Sequence, residues 1–174
     1  MRWSGGIIVK KNRKYVLGLC LALISCLFFS INAYATTSVQ YWDLVDSGKH
    51  LDWGGGTQYQ SNFDGAVNTW NAYKPGVIRK DTALTVEDVY VWDYYTTNDD
   101  VGLTDPNTAE IRFNIYNMQN LNSNDRKNAC MHELGHALGL EHNEPADVMY
   151  KQVNGVTVLT QNDKDSYNLS YTWY

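Results

Sequence analysis

HELGHALGLEHN, residues 132–143, holds three of the four histidines in a chain of 174 residues. The fourth, His50, lies far upstream. His132, His136 and His142, with Glu133 and Gly139, complete the pattern H-E-x-x-H-x-x-G-x-x-H. A chain of this composition meets that pattern by chance about a few times in a million, so the spacing asks for a chemical reason.

On a helix His132 and His136 stand one turn apart on the same side, and both imidazoles can reach one ion. Glu133 lies beside them, placed to meet a water on that ion rather than the ion itself. A continuing helix would carry His142 about 9 Å along the axis and about 120° around from His136, out of reach. Gly139 resolves this, because glycine accepts the left-handed conformation that stops a helix and turns the chain. His142 then returns as a third ligand. Three neutral imidazoles and an open position are the pattern of a catalytic Zn2+ site, with one ion held by His132, His136 and His142.

The rest of the chain supports an exported protein. Lys10, Lys11, Arg13 and Lys14 precede the apolar run 15–31, and Ala33-Tyr34-Ala35 supplies a small-x-small processing site. Residues 1–35 are therefore expected to be a signal peptide cut after Ala35, leaving 36–174 as a single domain in a secreted, extracellular protein. A retained membrane anchor is the alternative, but the apolar run falls short of the ~20 residues a span prefers. Leu23-Ile24-Ser25-Cys26 resembles a lipidation site, against which the apolar run continues past Cys26. Without the five basic residues of that segment, 9 of the 14 Lys and Arg remain against 19 acidic residues, a net charge of −10. That charge excludes nucleic acid as a natural partner. Cys130 is the one cysteine after residue 35, so no disulfide framework is expected. Two positions before His132, it falls about 200° around the helix and belongs to the core.

Periodicity gives the layers. His50 to Trp53 reads as a short strand closed by Gly54-Gly55-Gly56. Phe63, Ala66, Val67, Trp70 and Tyr73 form one face of a helix ended by Lys74-Pro75-Gly76. Residues 77–80 and 89–94 are β-rich, and 109–116 alternates as a strand does. A polar loop is expected over 96–108. Leu121 to Asp125 supplies capping residues before the run that carries the motif. The order implies an α/β fold, helices layered on a mixed sheet.

With Asp147-Val148-Met149-Tyr150 added, the run from His132 resembles the metzincin zinc peptidases, and most their matrixin branch. The resemblance implies a zincin-like α+β domain: a mixed, mostly parallel twisted sheet, two long helices and an active-site helix. A small C-terminal subdomain would follow, with Met149 in a Met-turn under the zinc. Leu159 to Asp165 resembles the opening of the matrixin C-terminal helix, and Thr160 with Asp163 also forms an N-cap pair by chemistry alone. Two departures stand out. The cysteine-bearing activation motif is absent, and Lys151 stands where matrixins usually have proline, at the wall of the substrate pocket.

The expected function is that of a secreted zinc endopeptidase, with Glu133 as general base toward a zinc-activated water. Its partner is a protein or peptide substrate, docked by implication of the resemblance along an edge strand at residues 101–104. A monomer without stable membrane association is expected. Asp43 or Asp46, in the polar lead, could cap the open zinc position. Ca2+ at Asp99, Asp100 and Asp105 is possible but fits no calcium loop. Two rivals share the site: a catalytically silent, zinc-stabilised binding module, and a peptidase for cell-wall peptides.

Overall fold

The computed structural model describes residues 35–174, so the expected leader and most of its processing site lie outside the described residues. From Ala35 to Tyr174 the chain forms one compact unit. The helical face read from Phe63, Ala66 and Trp70 is buried along α1 (Gln60–Tyr73). Its opposite number is α3 (Ser123–Ala137), which carries His132, Glu133 and His136. Trp70 joins the two helices, donating its indole N–H to the Met131 carbonyl at 3.0 Å.

These helices cover one side of a five-stranded sheet. Its strands are β1 (Leu51–Gly55), β2 (Ile78–Lys80), β3 (Val89–Tyr94), β4 (Gly102–Asp105) and β5 (Glu110–Asn114). They lie in the order β2-β1-β3-β5-β4. The β1–β2, β1–β3 and β3–β5 pairs are parallel. Only β4 runs antiparallel, against β5. The expected mixed, mostly parallel sheet is therefore the observed one. Leu51, Trp53, Val89, Val91, Ile111 and Phe113 turn into the core. Trp53, Phe63 and Phe113 meet edge to face there, the arrangement aromatic quadrupoles favour.

Two sequence expectations need correction. The loop expected over 96–108 contains β4, whose register sets Thr104 opposite Ile111. The strand expected to reach Tyr116 stops at Asn114, where the short helix α2 (Ile115–Met118) begins. Asn114 causes the break. Its Oδ1 accepts from the Tyr116 amide at 3.2 Å, while its Nδ2 donates to the carbonyls of Thr96 and Asp100. A side chain that bonds local backbone groups in this way competes with the sheet ladder.

Asn122, within the predicted capping run, accepts from the amides of Asn124 and Asp125 and starts α3. Thr160 and Asp163 form the expected reciprocal capping box at the start of α4 (Gln161–Ser170). No helix among the described residues is long and apolar enough to cross a membrane.

Candidate metal centre

Helix α3 ends at Ala137, and Gly139 follows with φ of +84°, the left-handed conformation its position required. The Leu140 amide returns to the Gly135 carbonyl at 2.9 Å, closing the turn. His142 then comes back over the helix. One ligand atom from each of His132, His136 and His142 lies within 4.8 Å of the others. The sequence-predicted triad is thus brought together.

The two helical imidazoles are oriented through their Nδ1 atoms. His132 Nδ1 lies 3.1 Å from the Val148 carbonyl, and His136 Nδ1 lies 2.9 Å from the Leu140 carbonyl. A carbonyl can only accept, so each Nδ1 carries the proton and each Nε2 presents a lone pair toward the shared centre. This donor set suits zinc, which takes neutral imidazoles in a tetrahedral shell. Burial pushes the His132 pKa down to about 4, and His136 is lowered for the same reason.

Glu133 is buried, and its carboxyl faces the cleft beside the triad. Burial raises its pKa, while the neighbouring His136 and a hydrogen bond from Thr104 act in the opposite direction. Gly102 makes room for it: a Cβ there would lie 2.8 Å from Glu133 Cγ. The cleft occupies about 560 Å³ and is floored by the three histidines. Residues 101–104 line it, as do Tyr150 and Lys151. The segment expected to act as an edge strand is therefore both a sheet edge and a cleft wall.

Met149 packs against the helix that carries two of the histidines. It is fully buried, with its thioether against α3 at Gly135, where any larger residue would run into the sulfur. The turn that carries Met149 is held from α4. Asp163 accepts from the amides of Val148 at 3.1 Å and Met149 at 3.3 Å. Asp163 is thus a helix cap and also the anchor of the turn, a second role that sequence spacing did not reveal.

Other candidates fall elsewhere. Cys130 is buried in the core as expected, and burial raises its thiol pKa. His50 lies beside Asp46, apart from the triad. Asp46 accepts from the His50 amide and Asp43 from the Val45 amide, and neither lines the cleft. Asp105 is engaged by Arg112 and Asn107, and no grouping joins it to Asp99 and Asp100 among the described residues. Asp46, Asp52 and Asp88 do converge, but Arg79 already binds Asp52 through two nitrogens.

The matrixin family model matches residues 50–172, most of the chain. The chain is a matrixin. No curated protein matches it. As a matrixin it belongs with the zinc metallopeptidases, hydrolases whose substrates are proteins or peptides. Lys151 of this matrixin is exposed and lines the cleft.

Proposed function

We propose that this matrixin is a secreted zinc endopeptidase, with residues 36–174 as its single catalytic domain. His132, His136 and His142 would hold one Zn2+, and Glu133 would act as the general base. The observation that carries this reading is the convergence of the three imidazoles with a buried carboxyl beside them at the floor of an open cleft.

When bound, the ion supplies Lewis acidity: it lowers the pKa of a coordinated water and polarises the scissile carbonyl. The protein residues do the rest. Edge strand β4 offers main-chain groups to an extended peptide, which fixes its backbone whatever its sequence. Glu133 takes the proton of the attacking water and passes it to the leaving amine nitrogen. Thr104 keeps the carboxylate aimed by donating to it at 2.8 Å.

Glu133→Ala removes the base and no ligand. Zinc content and melting temperature should stay close to the parent's, because the one hydroxyl proton of Thr104 can turn to the residue 133 carbonyl, 2.9 Å away. Cleavage of a quenched peptide should fall roughly 10²- to 10⁴-fold, the span of a positioned base. His142→Ala should lose zinc and thermal stability as well as rate. Equal cleavage by Glu133→Ala and the parent would overturn the mechanism. Zinc binding by all three proteins with no cleavage of protein, peptide or cell-wall peptide would favour a binding module instead.

A further inference from the structure

Ahead of β1, residues 38–44 run beside the turn that links the second and third histidines. The Gln40 amide donates to the Gly139 carbonyl at 2.8 Å, Leu44 donates to Ala137 at 2.9 Å, and Glu141 donates back to Ser38 at 3.1 Å. Val39 and Leu140 form an antiparallel bridge. Backbone bonds on both sides of Gln40 therefore fix its place, and its side chain reaches the cleft.

Gln40 Nε2 lies 2.7 Å from His136 Nδ1, while Gln40 Oε1 is buried without a hydrogen-bond partner. The Leu140 carbonyl, 2.9 Å from the same Nδ1, requires a proton there. Two N–H groups cannot face each other at that distance. Turning the amide by 180° exchanges its nearly isosteric oxygen and nitrogen: Nδ1–H gains a second acceptor and the oxygen a donor, while the NH2 takes the buried place the oxygen held. The opposite arrangement, with Nδ1 accepting from Gln40, would put the ring proton on Nε2, the atom that faces the other two histidines.

We infer that Gln40 is a positioning residue for the metal centre: its side-chain oxygen, with the Leu140 carbonyl, holds His136 as the tautomer whose Nε2 is free to bind. This rests on the three-histidine reading above. Gln40 sits 96 positions from His136 in sequence, and no local pattern links them.

The test uses the 36–174 protein and two of its variants. Gln40→Met keeps similar length without an acceptor, and Gln40→Glu presents an acceptor in either orientation. Zinc affinity, read by chelator competition at one pH, should weaken 10- to 100-fold in Gln40→Met, the usual cost of losing an outer-shell partner, and stay level or tighten in Gln40→Glu. In the metal-free parent, the ring-nitrogen shifts of His136 should report a proton on Nδ1, and in Gln40→Met a mixture of tautomers. A merely structural role would weaken both variants alike, which overturns the inference. So does parental zinc affinity in Gln40→Met, or a parent with the His136 proton on Nε2. Should Gln40→Met fail to fold, the Gln40→Glu affinity and the parental shifts decide. If the parent binds no zinc, the metal reading itself has failed, and the shifts still decide the role of Gln40.

Discussion

Thr104 Oγ1 lies 2.8 Å from Glu133 Oε2, so the edge strand that walls the cleft also supplies the one side-chain hydrogen bond made to the buried carboxylate among the described residues. In the proposed mechanism, strand β4 would join substrate docking and base orientation in four residues. Thr104→Val keeps the shape and removes the donor. A hydrogen bond to a charged group is worth about 1.5–3 kcal/mol, so turnover should fall about tenfold or somewhat more. Zinc content should not change, since the Thr104 hydroxyl bonds only to Glu133 among the described residues. Steady-state kinetics with metal analysis checks this, and an unchanged kcat would mean that packing alone orients Glu133.

Gly139 is the hinge on which the third histidine depends. Its φ of +84° is costly for any residue with a side chain, by about 1–2 kcal/mol. A Cβ would also run into Ser170 Oγ, which donates to the Leu138 carbonyl. Gly139→Ala should therefore lower the melting temperature and weaken zinc together, because the turn that returns His142 is displaced. Adding Ser170→Gly should recover only part of the loss, since it relieves the clash and leaves the backbone strain. Full recovery in the double variant would show that φ contributes nothing.

Asp163 offers a sharper test of the link between α4 and the metal centre. Its carboxylate accepts from Val148, Met149 and Thr160 amides. Asp163→Asn is nearly isosteric, but its amide nitrogen must face one of those N–H groups. Leaving a buried donor unpaired costs about 1–3 kcal/mol, which urea unfolding would read directly. Zinc should weaken as well, because the Val148 carbonyl that orients His132 lies on the same turn. Loss of stability with parental zinc affinity would separate the turn from the site.

The parts legible in the sequence were those written locally. The Phe63–Ala66–Trp70 period predicted α1, and Gly139 predicted the turn that completes the triad. Short-range chemistry also predicted the caps at Asn122 and Thr160. What the sequence hid was long-range. Thr104 with Glu133, Asp163 with Met149, and Gln40 with His136 are pairs that only the folded chain creates. Composition hid β4, which only the family resemblance marked as an edge strand at 101–104: Asp99, Asp100 and Asp105 make its surroundings look like a solvated loop, and pairing with β5 turns Gly102–Asp105 into a strand. In the lead, the acidic side chains of Asp43 and Asp46 stay out of the cleft lining, and uncharged Gln40 reaches it.

Acid gives the last test, on the metal-free protein. Burial holds His132 at about 4, against 6.5 when exposed. Its folded pKa is therefore depressed, and between these two values the unfolded chain binds the extra proton. By linkage, stability is fully present above pH 6.5 and falls as pH drops toward 4, at up to about 1.4 kcal/mol per pH unit from this one group. His136, lowered in the same direction, adds to the slope. Bound zinc competes with those protons, so the loaded protein should hold its stability to lower pH. Melting midpoints of metal-free parent and His132→Gln, taken from pH 7 down to the acid limit, separate this from general carboxylate protonation. The variant should show a shallower fall across that window. Equal slopes in the two proteins would mean that His132 is not held neutral by the fold.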